Sequence, residues 1–286
     1  MRSVGMIGLG LLGGALAERL LGRGLRVAGF DLREECRRRL EDAGGLPLGC
    51  AAEVAAAVDV VVLCLPDSDA VESAVAAAGA ALRDKVLIDA TTGDPDRTAA
   101  LGERLASAGT RYLDATVVGS SKQARAGEVV VLVGGEADTF RFTENLFREF
   151  AARWFHVGPW GSGARMKLVV NLVLGLNRAV LAEGLAFAAR CGLDPAAALE
   201  VLRAGAAYSR AMDTKGRRMV ESDFDEPEAR LSQHLKDVRL ILDAGRRSGA
   251  ELPLSLLHEG LLAELDRLGF GGLDNSVVLK AFEPRP

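Results

Sequence analysis

Ser3-Val4-Gly5-Met6-Ile7-Gly8-Leu9-Gly10-Leu11-Leu12-Gly13 sets a short apolar run directly against three glycines spaced GxGxxG. The run reads as a buried strand ending at Ile7. The helical pattern that begins beside Gly13 and continues through Gly14–Leu21 reads as the helix that follows it. In this setting each glycine has its own task. Gly8 permits the tight turn, Gly10 lets backbone amides come close to a pyrophosphate, and Gly13 packs helix against strand. Leu9, Leu11 and Leu12 fill the loop, whose amides and helix dipole favour an anion. Asp31 closes the next β-like run, where a carboxylate accepts hydrogen bonds from ribose hydroxyls. The stretch therefore predicts a dinucleotide site; a glycine-rich turn without a ligand is the plainer alternative.

Working outward, β-like runs alternate with helical stretches: Ser3–Ile7, Leu25–Phe30, Val58–Leu65, Lys85–Asp89 and Arg111–Asp114, with Ala- and Leu-rich segments such as Asp67–Leu82 between them. Gly22 and Gly24 stand where a helix would stop. This is the pattern of a doubly wound α/β sheet. Two later runs, Glu128–Val133 and Trp154–Val157, extend the sheet to about residue 158. After Gly158-Pro159-Trp160-Gly161-Ser162-Gly163 the texture is helical to the end, beginning with an apolar helix over about Ala164–Cys191. That helix is more than twice the usual length. The expectation is a Rossmann-type domain over 1–160 and an all-α domain over 161–286 for substrate and oligomerisation, joined by the long helix.

The bulk composition narrows the function. A chain of 286 residues with 49% apolar and 26% charged side chains is long enough for two cores. Its net charge of −4 supplies no broad positive field, which argues against nucleic acid and anionic membranes and for a small-molecule partner. Cys36, Cys50, Cys64 and Cys191 form no Cys-x-x-Cys pair and read as reduced packing residues. His156, His234 and His258 have no metal-ligand spacing, so no metal is expected. The apolar stretch Leu168–Leu176, interrupted by Asn171, is too short to span a bilayer, and a cytoplasmic location is expected.

Lysine is scarce, yet Lys167 lies inside Met166-Lys167-Leu168-Val169-Val170-Asn171, a largely apolar segment. Burial disfavours the charged form of an amine and equips it to exchange protons near neutrality. Asn171, four residues on, shares its helical face and can share its ligand. A side chain that merely reaches from a helix edge to water is the alternative.

These segments together resemble the β-hydroxyacid dehydrogenases, among them 3-hydroxyisobutyrate dehydrogenase and tartronate semialdehyde reductase, over nearly the whole chain. The family order is a glycine-rich loop, a Leu-Pro, an Asp-x-Ser-Thr-x-x-Pro segment, an Asp-Ala-Pro-Val-Ser-Gly-Gly loop and a Gly-x-Gly-x-x-x-Lys-x-x-Asn-Asn helix. Here these stand as Gly8–Gly13, Leu65-Pro66, Asp89-Ala90-Thr91-Thr92-Gly93-Asp94-Pro95, Asp114-Ala115-Thr116-Val117-Val118-Gly119-Ser120 and Gly161–Asn171. The resemblance implies that Leu65, Pro66 and Thr92 lie along the coenzyme and that Lys236, in the pair Lys236-Asp237, lies near the nicotinamide. It further implies that Lys167 and Asn171 are catalytic and contact substrate, and that the loop Val118-Gly119-Ser120-Ser121 holds the substrate acid. Thr116, Val118 and Ser120 depart from the family loop, and Lys122 adds a charge beside it. Ser120 and Ser121 could instead simply shape the turn, and Lys236-Asp237 could be an exposed pair.

The expected activity is hydride transfer between a nicotinamide and a small β-hydroxy acid or semialdehyde, with Lys167 as general acid/base. Asp31 would repel a 2′-phosphate and favours NAD, while Arg33 and Arg37-Arg38-Arg39 keep NADP open. Two rivals are an imine or keto reductase, for which the resemblance implies a different residue at the lysine position, and a dinucleotide-binding module without turnover. The apolar segment Leu252–Leu265 suggests a homodimer or homotetramer.

Overall fold

The computed structural model of the chain describes residues 2–283 and divides into two compact units, Met1–Lys167 and Leu168–Pro286. The first unit is built on one eight-stranded sheet. Its strands are β1 (Ser3–Ile7), β2 (Arg26–Phe30), β3 (Leu46–Pro47), β4 (Val60–Leu63), β5 (Val86–Asp89), β6 (Arg111–Val118), β7 (Val129–Gly135) and β8 (Ala151–Gly158). They lie in the order β3-β2-β1-β4-β5-β6-β7-β8, all neighbours parallel except the antiparallel β6 and β7. Seven helices cover the faces: α1 (Leu11–Gly22), α2 (Glu34–Asp42), α3 (Ala51–Ala57), α4 (Ser68–Ala78), α5 (Pro95–Ser107), α6 (Ser121–Ala126) and α7 (Ala137–Phe150).

The strands read as unbroken apolar runs because both faces are buried. On β4, Val60 and Val62 enter one core with Met6, Leu16 and Ile88, while Val61 and Leu63 enter a second with Ile7, Val54 and Leu87. The chain crosses from β3 to β4 past β2 and β1, so the strand order reverses beside β1. The carboxyl ends of β1 and β4 flank that reversal, the place where open α/β sheets bind ligands.

Several expected boundaries move. β2 starts at Arg26 and β4 is trimmed to Val60–Leu63, whereas β8 extends over Ala151–Gly158. β6 does not end at Asp114: Ala115–Val118 pair with Val133–Val130 of β7 and carry the strand four residues further. β3, two residues with a proline, was too short for any periodicity to show.

In the second unit lie most of α8 (Ser162–Arg190), then α9 (Pro195–Ala204), a π-helical turn at Met212–Gly216, α10 (Arg217–Glu221), α11 (Leu231–Ser248) and α12 (Pro253–Arg267). Leu181, Leu185, Leu235, Val238, Leu262 and Leu265 form its core. Consecutive apolar residues understated α8: it runs 29 residues and contains an 18-residue window of mean hydropathy 1.5. By length and composition alone such a helix could cross a bilayer, but Leu181, Ala182 and Leu185 pack in a protein core. The cysteines are unpaired. Cys36 is buried, but Cys191 is exposed, contrary to a packing role, because it follows the last turn of α8.

Candidate active site

The glycine loop is built as the sequence spacing requires. Gly8 adopts φ +93°, and a Cβ there would stand 2.3 Å from the Cys64 carbonyl oxygen. At Gly13 a Cβ would stand 2.0 Å from the Gly8 oxygen, so the close approach of helix to turn forbids any side chain. Gly10 differs: among the described residues, the one near neighbour of a Cβ there would be the tip of Arg33, at 3.3 Å. Nothing in the protein's own packing needs a glycine there, which fits a position kept bare for a ligand. Gly10 is also the N-cap of α1 and offers no side-chain acceptor, and no acid stands in the first turn. Among the described residues, no side chain caps this helix start, which leaves the amides of Leu11 and Leu12 for a phosphate.

Leu9 ties the glycine loop to the end of β2. Its side chain is buried in the core, and its N–H donates to Asp31 Oδ2 at 2.8 Å, so that amide serves the protein. Asp31 Oδ1 accepts from the Arg33 amide at 2.9 Å and from Arg33 Nε at 3.3 Å. Burial pushes this carboxyl up, but the amides of Arg33 and Leu9 and the guanidinium outweigh it and hold the group below its usual range. Asp31 is therefore a fixed anion at the end of β2. Leu65 follows β4, with Cδ2 packed close to Gly8, and its N–H donates to Thr91 Oγ1 at 3.1 Å. Pro66 is exposed beside it and Thr92 half-buried after β5, both on the carboxyl edge of the sheet.

Lys167 is buried, only 8% exposed, and its Nζ donates to the Val117 carbonyl at 2.7 Å. The ammonium thus sits against the last residues of β6, immediately before the proposed acid-binding turn. Its position is set by a clamp that the sequence did not reveal. Asp114 Oδ1 accepts the Gly161 N–H and Oδ2 the Ala164 N–H, both at 2.9 Å, so one carboxylate caps the start of α8. Thr116 Oγ1 donates to the Gly163 carbonyl at 3.1 Å. At Gly163 a Cβ would stand 2.6 Å from the Leu132 oxygen and 2.7 Å from the Asp114 oxygen, so the helix start presses directly on the sheet. Burial pushes the Asp114 carboxyl up to about 6 even though the two amides oppose this. Asp114 and Thr116 are therefore positioning residues for Lys167. Strand and helix start lie about fifty residues apart in sequence, and only an acid just before a β-like continuation could have hinted at the cap.

The acid-binding segment is less loop than expected. Val118 is the last residue of β6, leaving Gly119 at φ +143° as the turn, with Val129 Cγ1 2.8 Å from where its Cβ would be. Ser120 is the N-cap of α6 in a reciprocal box: Oγ accepts the Gln123 N–H at 3.3 Å, and Gln123 Oε1 accepts the Ser120 N–H at 2.9 Å. Ser120 thus shapes the turn. Ser121 opens α6, half-buried, with Lys122 exposed beside it.

In the second unit Asn171 is 8% exposed, and its Nδ2 donates to Asp237 Oδ2 at 3.0 Å. Asp237 also pairs with Lys236, Nζ to Oδ1 at 3.4 Å. Lys236-Asp237 is thus no idle exposed pair: Asp237 fixes the amide of Asn171. Lys167 and Asn171 lie one turn apart on α8, as their spacing predicts.

Residues 3–158 match the profile of the NAD binding domain of 6-phosphogluconate dehydrogenase, and residues 161–282 that of the NAD-binding domain of NADP-dependent 3-hydroxyisobutyrate dehydrogenase. The chain is 32% identical to the L-threonate dehydrogenase of Cupriavidus necator, over 98% of its own length and 96% of that protein's. It is also 32% identical to the 2-(hydroxymethyl)glutarate dehydrogenase of Eubacterium barkeri, over 98% and 94%. Its fold superimposes on Mycobacterium tuberculosis 3-hydroxyisobutyrate dehydrogenase with a TM-score of 0.88 and 26% identity, covering 99% of this chain and all of that one.

Proposed function

Because the chain belongs to the β-hydroxyacid dehydrogenase family, we propose that Lys167 is the proton-transfer residue of its reaction, with Asn171 positioning the reacting oxygen. The protein is a nicotinamide-dependent oxidoreductase acting on the CH–OH group of small hydroxy acids or on the corresponding semialdehydes. The observation that carries the role of Lys167 is its buried Nζ, 2.7 Å from the Val117 carbonyl at the threshold of the Gly119–Ser121 turn. An ammonium has three donors, so one bond to a carbonyl can orient it while another reaches a substrate oxygen.

The coenzyme, when bound, supplies or accepts the hydride at the substrate carbon. Gly8, Gly10 and Gly13 with the amides of Leu11 and Leu12 would hold its pyrophosphate, and Leu65, Pro66 and Thr92 would line its path along the sheet edge. In the reducing direction the Lys167 ammonium gives a proton to the carbonyl oxygen as it becomes an alcohol; in the oxidising direction the neutral amine takes it back. Gly119 and Ser121, with the Ser120 hydroxyl, would hold the substrate acid group, and Val118 would contribute contact area alone.

NAD is the coenzyme favoured here, since the fixed charge of Asp31 would repel a 2′-phosphate. One panel tests both readings: oxidation of NADH and of NADPH by tartronate, succinic and methylmalonate semialdehydes, with wild type and Asp31→Ala. Turnover with NADH exceeding NADPH by about tenfold or more, a gap that narrows in Asp31→Ala, is expected. Wild-type preference for NADPH would refute the role of Asp31, and no turnover with any member would refute the substrate class.

A homo-oligomer is the assembly favoured here. Leu254, Leu256 and Leu257 on α12 and Val180 and Phe187 on α8 are exposed large apolar side chains within the second unit. Exposed apolar area of that kind marks contact surfaces. Light scattering at micromolar concentration is expected to return a dimer or tetramer; a monomeric mass contradicts it.

A further inference from the structure

Within the first unit, the turn at 64–67 between β4 and α4 and the turn at 90–94 between β5 and α5 are tied together at two points. At the inner point the Leu65 N–H donates to Thr91 Oγ1 at 3.1 Å. At the outer point the Asp94 N–H donates to the hydroxyl of Ser68, the first residue of α4, at 2.9 Å. A Cβ at Gly93 would stand 2.5 Å from that hydroxyl oxygen, so the outer tie needs a residue without a side chain beside it. Pro66 and Thr92 lie between the two ties.

The inner tie is rooted in the sheet. Asp89, the last residue of β5, is 4% exposed, and its Oδ1 accepts the Thr91 N–H at 2.9 Å. The same carboxylate accepts the Thr91 hydroxyl, and its Oδ2 accepts the hydroxyl of Tyr112, a fully buried residue of β6, at 2.9 Å. A hydroxyl has one hydrogen and two lone pairs, so Thr91 can donate to Asp89 and still accept from Leu65. One chain of bonds thus runs from β6 through the end of β5 to the turn after β4. Burial pushes the Asp89 carboxyl up, and its three donors pull against this. A buried acid adds little stability over a well-packed apolar residue of similar size; what a fully bonded one does provide is a fixed local geometry.

The strand order says which half of the coenzyme that geometry serves. Along β2-β1-β4-β5, Asp31 stands on one side of the glycine turn and the two tied turns stand on the other. A dinucleotide with its adenosine ribose on Asp31 and its pyrophosphate on Gly8, Gly10 and Gly13 therefore extends its nicotinamide half over the ends of β4 and β5. We propose that Asp89 and Thr91 are positioning residues for the nicotinamide half of the coenzyme, holding the two turns as one surface that presents Pro66 and Thr92 at a fixed spacing. This rests on the proposed function and adds to it two buried residues that act through Leu65 and the turn backbone without touching the coenzyme.

The test separates the two halves of the coenzyme. NADH, NADPH and ADP, which lacks the nicotinamide half, are titrated onto the full chain by calorimetry. Thr91→Val keeps the shape of the side chain but removes both its donor to Asp89 and its acceptor for Leu65. It is expected to weaken the tighter-binding reduced coenzyme by about tenfold, while ADP affinity changes by less than about twofold. Thr91→Ser restores the hydroxyl and should return the coenzyme to within about threefold of wild type. If valine impairs folding, Ser68→Ala cuts the outer tie at a half-buried position and should weaken the reduced coenzyme by about threefold, again sparing ADP. Equal losses for the reduced coenzyme and ADP, or a lowered Tm with unchanged coenzyme affinity, overturn the positioning role and leave the coenzyme site standing. A wild-type chain that binds none of the three overturns the coenzyme reading itself, and this inference with it.

Discussion

Lys167→Ala is expected to lower kcat for semialdehyde reduction by about 10²–10⁴-fold, the range that a positioned acid or base contributes. The loss should fall on kcat more than on KM, because the proton is transferred in the transition state and not in the resting complex. The cavity left by the side chain is bounded by the Val117 carbonyl, which would keep an unsatisfied acceptor, so part of the effect is a looser β6 end. Addition of a small primary amine separates the two contributions. Methylamine can occupy the vacated space and return a proton donor, and rate recovery that rises with amine concentration is expected of a proton-transfer residue only. Wild-type turnover retained by Lys167→Ala would end the assignment.

Asp114→Ala is expected to cost about 2–5 kcal/mol of stability, because it leaves the buried N–H groups of Gly161 and Ala164 without their acceptor at the start of α8. It should also lower kcat, since the helix turn that carries Lys167 is registered on the sheet through this carboxylate and the Thr116 hydroxyl. The pH dependence has a definite sign. In the folded protein the Asp114 carboxyl lies at about 6, above its ordinary 3.8, because burial disfavours its charge. The folded state thus binds this proton more tightly than the unfolded state does. Its stabilising contribution is full below about pH 3.8 and is lost as pH rises through about 6, a change of about 3 kcal/mol. The difference in unfolding free energy between wild type and Asp114→Asn should accordingly shift in favour of wild type as pH falls from 7 to 4. A constant difference would show that Asp114 has the same pKa in both states.

How much of this the sequence carried depends on range. The parallel strands were legible because burial on both faces writes them as plain Val, Ile and Leu runs, and the glycine loop because Gly8 and Gly13 answer to hard steric contacts close by. Lys167 stood out as a charge in an apolar helix, and it is buried. Features made by distant partners were not visible. The extension of β6 through Val118 depends on pairing with β7, and a family pattern that names this stretch a substrate loop hides the strand within it. The cap on α8 joins Asp114 to Gly161 and Ala164, which no local periodicity links. Arg178 reads in sequence as one more helix cation; only its packing shows a buried guanidinium nitrogen with no acceptor among the described residues.

The most direct test of the Lys167 assignment is a crystal structure of the full chain with oxidised coenzyme and an unreactive hydroxy acid analogue bound together. Lys167 Nζ is expected within hydrogen-bonding distance, about 3 Å, of the analogue's hydroxyl oxygen while it keeps the Val117 carbonyl as its second partner. An ammonium that stays on Val117 with no contact to the analogue, direct or through one water, in every copy of the complex would contradict it.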